Sequence, residues 1–244
     1  MDEIREDPFK EYIQEKEPTK KKLGYSWFIA IGLQNVDGLQ TSDYLNATAQ
    51  SNINGEITLE DANRMIETYY AENSDSKADS YKEADLVSAR IAAILSENSF
   101  TFSVPQYIGI HKRLFSGIYK HAGKLRDYNI SKKEWVLDGA SVIYGNALEL
   151  KDMLEYDINS ERHFNYALYD IPDMIPHLAD FISRLWQIHA FAEGNTRTTA
   201  VFLLKYLQTM GFDVNNDTFA RNAWYFRNMA QVMIQNVKQI HWIY

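Results

Sequence analysis

Between two apolar stretches of this 244-residue chain lies the segment His189-Ala-Phe-Ala-Glu-Gly-Asn-Thr-Arg-Thr198. A histidine titrates near neutral pH and can take a proton from a hydroxyl. Four residues on, Glu193 offers a hard oxygen ligand of the kind Mg²⁺ uses when it accompanies nucleotide phosphates. Gly194 lets backbone approach a ligand closely. The amides around 194–197 open a helix, and a helix N-terminus favours phosphate through its N–H groups and its dipole. Arg197 adds a forked cation for phosphate oxygens. Phe191 reads as a core anchor for the turn. A lone histidine is most often structural, and a lone Glu-Gly-Asn is an ordinary helix-starting loop. Base, acid, Gly-Asn and Arg within nine residues point instead to a general base beside an anion cradle.

Two helices must hold this segment. One spans about Met174 to Ile188, with Ile175, Leu178, Ala179, Ile182, Leu185 and Trp186 on one stripe. The other runs from Thr196 to Met210, is apolar on most sides around 200–204 and should be central; Gly211 ends it. Upstream, Pro105 suits the first turn of a helix reaching His121 and stopped by Gly123. Glu134 to Tyr144 sets β-formers around Asp138-Gly139, a strong hairpin signal. A helix follows over about Asn146 to Tyr156, and Thr218 to about Val237 forms the last one.

The N-terminal part reads as helices too. Residues 1–23 are a charged arm that includes Lys20-Lys21-Lys22. Tyr25 to Asn35 suits a short buried helix stopped at Asp37-Gly38. Ser42 can cap a helix to about Ile53, Gly55 breaks it, and Thr58-Leu-Glu-Asp61 has the form of a capping box opening a helix to about Tyr70. Glu72 to Ser80 reads as a linker, followed by a helix over Tyr81 to Glu97. This gives a module at 24–80 and a domain at 81–244. The expected class is all-α with one β-hairpin.

Composition bounds the function. Hydrophobic residues make up 45% of the chain, enough for a sizeable core. The net charge of −8 argues against a nucleic-acid binder working by bulk charge. With no cysteine there is no disulfide, thiolate metal site or cysteine nucleophile. The first residues carry no apolar signal region, and the longest apolar runs are far too short for a bilayer. The expectation is a soluble, cytoplasmic protein without membrane contact.

The segment resembles the H-x-F-x-[DE]-G-N-G-R motif of the Fic/Doc family, with His189, Phe191, Glu193, Gly194, Asn195 and Arg197 in matching places. The likeness extends over about 81–237, through the helix pair around the motif and the hairpin upstream. It implies a Fic-type helical domain that transfers AMP from ATP to a Ser, Thr or Tyr hydroxyl of a target protein. His189 would deprotonate that hydroxyl. Glu193 would hold Mg²⁺, and Gly194, Asn195, Thr196 and Arg197 would bind ATP phosphates. The hairpin, with Val142, Ile143 and Tyr144, would be the flap that holds the target by strand-like pairing. Tyr225 and Asn228 on the last helix are either adenine-pocket residues or ordinary packing. A Doc-like kinase at the same site and a non-catalytic nucleotide-binding module stay open as alternatives. The target is not identified by the sequence, and the chain itself stays open as one candidate; homo-oligomerisation is also left open.

Three features depart from the family pattern. Thr196 replaces the second glycine, and Ala200 stands where a second arginine is common. The N-terminal module resembles the small antitoxins that partner Fic toxins, whose inhibitory helix carries [ST]-x-x-x-E-[GN]. Aligned on Asp37-Gly38, the acid is one methylene short, and Leu33 stands where Ser or Thr is expected. The resemblance thus implies a weak or lost inhibitory clasp; a purely structural module is the alternative.

Overall fold

The structure, a computed structural model, describes residues 18–73, 76–133 and 141–211. The chain divides into two compact units, with the break between Asn98 and Ser99. The first contains α1 (Pro18–Val36), α2 (Asp43–Ile53), α3 (Leu59–Glu72) and α4 (Ser76–Ser96). The sequence reading puts the boundary at 80/81. Helix α4 begins within the expected linker and packs against α1 and α3.

Local chemistry sets the helix ends of this unit. The Leu45 N–H donates to Ser42 Oγ at 3.1 Å and caps α2. Thr58 and Asp61 bond reciprocally to each other's backbone, the capping box expected for α3. Gly38 and Gly55 take φ of +73° and +80° at the ends of α1 and α2. Trp27, Leu45, Ile66, Val87 and Ile91 fill the core. The indole of Trp27 donates to Asn52 Oδ1 at 3.0 Å, so its one polar atom is satisfied.

One carboxylate is buried here. Asp85 accepts from the Ser42 N–H at 2.9 Å and from the Ser42 and Tyr70 hydroxyls at 2.5 Å each. Burial raises its pKa, and the three donors oppose that rise.

The second unit contains α5 (Val104–Phe115), the strands β1 (Ser131–Lys133) and β2 (Ser141–Ile143), α6 (Leu150–Arg162), a single 3₁₀ turn at Tyr166–Leu168, α7 (Ile171–Ile188) and α8 (Asn195–Thr209). Helix α8 is buried from Arg197 through Tyr206 and packs against both α5 and α7, the central place its apolar sequence demands. Tyr107, Phe115, Phe181, Phe191 and Phe202 are the largest side chains fully inside. The buried carboxylate of Glu161 ties four elements of this unit. It accepts from Tyr206 at 3.0 Å, from Tyr166, and bonds His177 Nε2 at 2.7 Å.

Several expectations shift. The α5 helix stops at Phe115 instead of His121, and α6 starts at Leu150 instead of 146. The apolar stripe of α7 is not buried along its whole length: Ile175 is 61% exposed, whereas Phe181 and Leu185 are inside. The hairpin has a different register. A two-residue turn at Asp138-Gly139 would set Val136 opposite Ser141, but Lys133 stands there, with Lys132 opposite Val142 and Ser131 opposite Ile143. The first strand therefore precedes the β-forming run Trp135-Val-Leu, which lies outside the described residues. So does the expected last helix.

Replacing Asp85 with Ala removes the acceptor from two hydroxyls in a buried site. The expected loss is about 3 kcal/mol, since each unsatisfied buried donor costs roughly 1–3. Urea unfolding followed by hydrogen exchange in α2–α4 measures it. A loss below about 1 kcal/mol would show that the hydroxyls find other acceptors.

Candidate active site

Helix α7 ends at Ile188, and His189 caps it in the left-handed conformation, φ 48° and ψ 58°. It is the only non-glycine residue with positive φ among the described residues. Such backbone persists only when the surroundings over-determine it. Arg126 does so. Its Nε donates to the His189 carbonyl at 2.7 Å, and Nη2 donates to those of Ile188 at 3.2 Å and Gly145 at 2.5 Å. Nη1 donates to the Tyr128 carbonyl at 2.6 Å, and the backbone N–H donates to the Ala190 carbonyl at 3.0 Å. Arg126 is only 4% exposed, and burial presses its pKa down. Sequence reading missed this residue. Its partners are backbone carbonyls, so no side-chain pattern or spacing marks it.

The His189 ring is 6% exposed and stacks on Tyr144, with centroids 4.0 Å apart and planes at 24°. Tyr144 follows directly on β2. Val142 and Tyr144 turn inward, packed with Ile130, while Ile143 between them is 67% exposed, the alternation of a half-buried strand. The three flap residues named from sequence thus split. Tyr144 meets the candidate base, Val142 anchors the strand, and Ile143 faces out. Gly145 continues into a tight junction, its N–H donating to the Gln187 carbonyl at 3.1 Å. A Cβ there would lie 3.0 Å from the Ile188 carbonyl oxygen and 3.1 Å from Met153 Sδ.

The loop from Ala190 to Gly194 is braced from within. Phe191 is fully buried and stacks on His111 at 3.7 Å, nearly parallel. Asn195 Oδ1 accepts from the Phe191 N–H at 2.9 Å, and Asn195 Nδ2 donates to the Phe191 carbonyl at 2.7 Å. His111 Nδ1 accepts from the Gly123 N–H at 2.8 Å, which leaves Nε2–H to donate to the Glu193 carbonyl at 3.0 Å. Burial lowers the His111 pKa to about 4, so the ring is neutral in this role at neutral pH. Gly194 caps α8 with φ 75°, and a Cβ there would fall 2.4 Å from Phe115 Cε2. Its freedom thus serves both a left-handed turn and close packing on a ring.

These contacts redistribute the expected roles. The Asn195 amide is committed to the loop's own backbone. Arg197 is 2% exposed, with its guanidinium 4.8 Å over the Phe115 ring and Nη2 donating to Tyr119 Oη at 3.3 Å. Thr196 is half-buried in the first turn of α8. No side chain caps that turn, because its cap residue is glycine. Ala200 is fully buried. In the other unit, Asp37 and Gly38 form the exposed end of α1, where the Leu39 N–H donates to the Gln34 carbonyl at 3.1 Å, and Leu33 is buried. Tyr225 and Asn228 lie outside the described residues.

Glu193 is exposed while its backbone is pinned by His111. Among the described residues no three His, Asp or Glu side chains gather around a common point. A single carboxylate beside a helix N-terminus still fits Mg²⁺, which keeps several waters and takes substrate phosphates as ligands. No helix among the described residues is long and apolar enough to cross a membrane.

Gly194→Ala should cost about 3 kcal/mol. A β-carbon in left-handed backbone accounts for roughly 1–2 of this, and the clash with Phe115 supplies the rest. Thermal unfolding is the measurement. Adding Phe115→Leu should recover part of the loss but not the backbone share. Full stability of the single variant would show that the loop can re-form without left-handed backbone at this position.

Residues 101–207 match the Fic/DOC family. No curated protein gives a match to the chain. The matched stretch runs from just before α5 into the last turns of α8 and contains the hairpin, Arg126 and the whole His189–Arg197 loop. The loop that carries the motif residues lies inside the matched stretch; residues 101–207 are a Fic/DOC family domain.

Proposed function

We propose that this protein transfers AMP from ATP to a hydroxyl of a target protein. The family points to nucleotide-dependent group transfer. The observation that carries the finer reading is the stacking of Tyr144 on His189, which sets the candidate base at the end of strand β2. The second edge of β2 has no strand partner among the described residues. An extended segment pairing there would bring its side chains toward the imidazole.

In this reading the target hydroxyl oxygen attacks the α-phosphorus, and His189 takes its proton. The bond from that phosphorus to the β-phosphate bridging oxygen breaks, and pyrophosphate leaves with the electron pair. Bound Mg²⁺ would neutralise charge on the phosphates, and Glu193 is the residue to hold it. Backbone N–H groups at the start of α8 face the same charge. Arg197, fixed by Phe115 and Tyr119, contributes a positive field from inside the fold. Asn195 acts by holding the loop in shape. Catalysis here is a matter of positioning and electrostatics.

The test is incubation of the full chain with labelled ATP, Mg²⁺ and a cell lysate, read by mass spectrometry. A gain of AMP on a Ser, Thr or Tyr is the expected result. A gain of phosphate alone would replace this reading with a kinase. His189→Ala should lower transfer by about 10²–10⁴-fold while leaving Mg-ATP affinity near that of wild type. Undiminished labelling at equal folded concentration would remove His189 from the role of base.

The N-terminal unit is proposed to exert little inhibition through Asp37. That carboxylate sits at an exposed helix end, and the position of the family's second arginine holds a buried alanine. Asp37→Ala should then change the initial labelling rate by less than about threefold, below the effect of losing even a modest ion pair. Activation of tenfold or more would reveal an inhibitory contact made by this residue.

A further inference from the structure

A cavity of about 540 Å³ opens between α6 and α7. Its wall includes Gln187 and Ile188, the two residues before His189. The same junction receives the flap. Gly145 bonds the Gln187 carbonyl, and Met153, also in the wall, packs where a Gly145 side chain would be. The cavity therefore adjoins the point where β2 meets the candidate base.

Its lining combines two kinds of surface. Met153, Tyr156 and Ile188 are apolar, and Tyr156 is 73% exposed. Glu149, Asp152 and Asp157 supply carboxylates, against a single cation, Arg184. Arg184 is already engaged, with Nε 3.1 Å from Asp157 and Nη1 bonded to Asp180. Glu149 occupies the N-cap position of α6, yet its side chain makes no capping bond. Glu149 and Asp152 are exposed and have no ion-pair partner among the described residues. An aliphatic stem leading to a cationic head fits this arrangement: the stem along Met153 and Ile188, the head against Glu149, Asp152 and the Tyr156 ring.

We propose that this cavity binds a lysine or arginine side chain of the target segment, so that the protein selects hydroxyls flanked by a basic residue. The proposal rests on the reading of β2 as the edge that captures the target. A strand advances about 3.3 Å per residue, so a residue a short way along the segment from the modified one reaches the cavity. Acidic flanks would be repelled by the two uncompensated carboxylates.

The test uses the full chain, the variant E149Q/D152N, and a control, E60Q/E72Q, that removes the same charge from exposed positions of the other unit. Short fluorescent peptides carry one tyrosine flanked by arginine, glutamine or glutamate. Binding is read by anisotropy without nucleotide, and AMP transfer is read separately. The arginine peptide should bind at least about tenfold more tightly than the glutamine peptide, the size of one charge-assisted contact. E149Q/D152N should abolish most of that difference, and E60Q/E72Q should preserve it. Equal binding of the arginine and glutamine peptides overturns the proposal. So does an equal loss in the control variant, which would assign the preference to net charge. If the arginine peptide binds through Glu149 and Asp152 but receives no AMP, the cavity assignment stands and the transferase reading falls. If AMP passes equally to both peptides, the transferase reading stands and the cavity assignment falls.

Discussion

Arg126 gives its side-chain donors to backbone carbonyls from three segments: its own loop at Tyr128, the flap exit at Gly145, and the turn at Ile188 and His189. A guanidinium taken out of water is costly unless its hydrogen bonds are replaced. Here carbonyl oxygens replace them. The arrangement works only if all three segments are in place together, since a carbonyl that moves away strands a buried donor. One side chain thus sets the left-handed backbone at His189 and the position of the hairpin exit that follows Tyr144. His189 and the strand beside it are a single mechanical part.

The rest of the loop follows the same logic with neutral groups. Asn195 closes a ring with the Phe191 backbone, and His111 bridges Gly123 to Glu193. Phe191, His111 and Phe115 stack beneath. Polar atoms of the loop are taken up partly by Asn195 within it and partly by His111 and Arg126. What remains turned outward is the Glu193 carboxylate, with Thr196 half-buried beside it in the first turn of α8.

Sequence carried much of this, unevenly. Caps depend on neighbours a few residues away, and so Ser42, the Thr58–Asp61 pair, Gly38 and Gly55 were legible. The central place of α8 followed from its apolar run. The motif residues were legible as a set, but their individual tasks were not. Asn195 and Arg197 read as phosphate ligands, while their contacts with Phe191, Phe115 and Tyr119 leave no mark in the sequence. Arg126 lies 63 residues from His189 and bonds only main chain, which leaves no trace in residue types. Register was the other loss. Asp138-Gly139 is a strong turn signal, yet pairing depends on which strand residues bury their side chains. Val142 and Tyr144, turned toward Ile130, decide that from the second strand alone.

Among the described residues β2 is three residues long and its second edge has no strand partner. An edge of that length offers two or three backbone hydrogen bonds, each contributing about 0.5–1.5 kcal/mol net. Against the entropy of ordering a peptide, this leaves an encounter measured in millimolar rather than micromolar terms. If β2 holds a target as proposed, a clasp so brief would discriminate little along the backbone and would free the bound chain quickly. Brevity has a second effect: a long, flat edge with an outward isoleucine would invite a second copy to add its own strand, and three residues are too few to start a fibre.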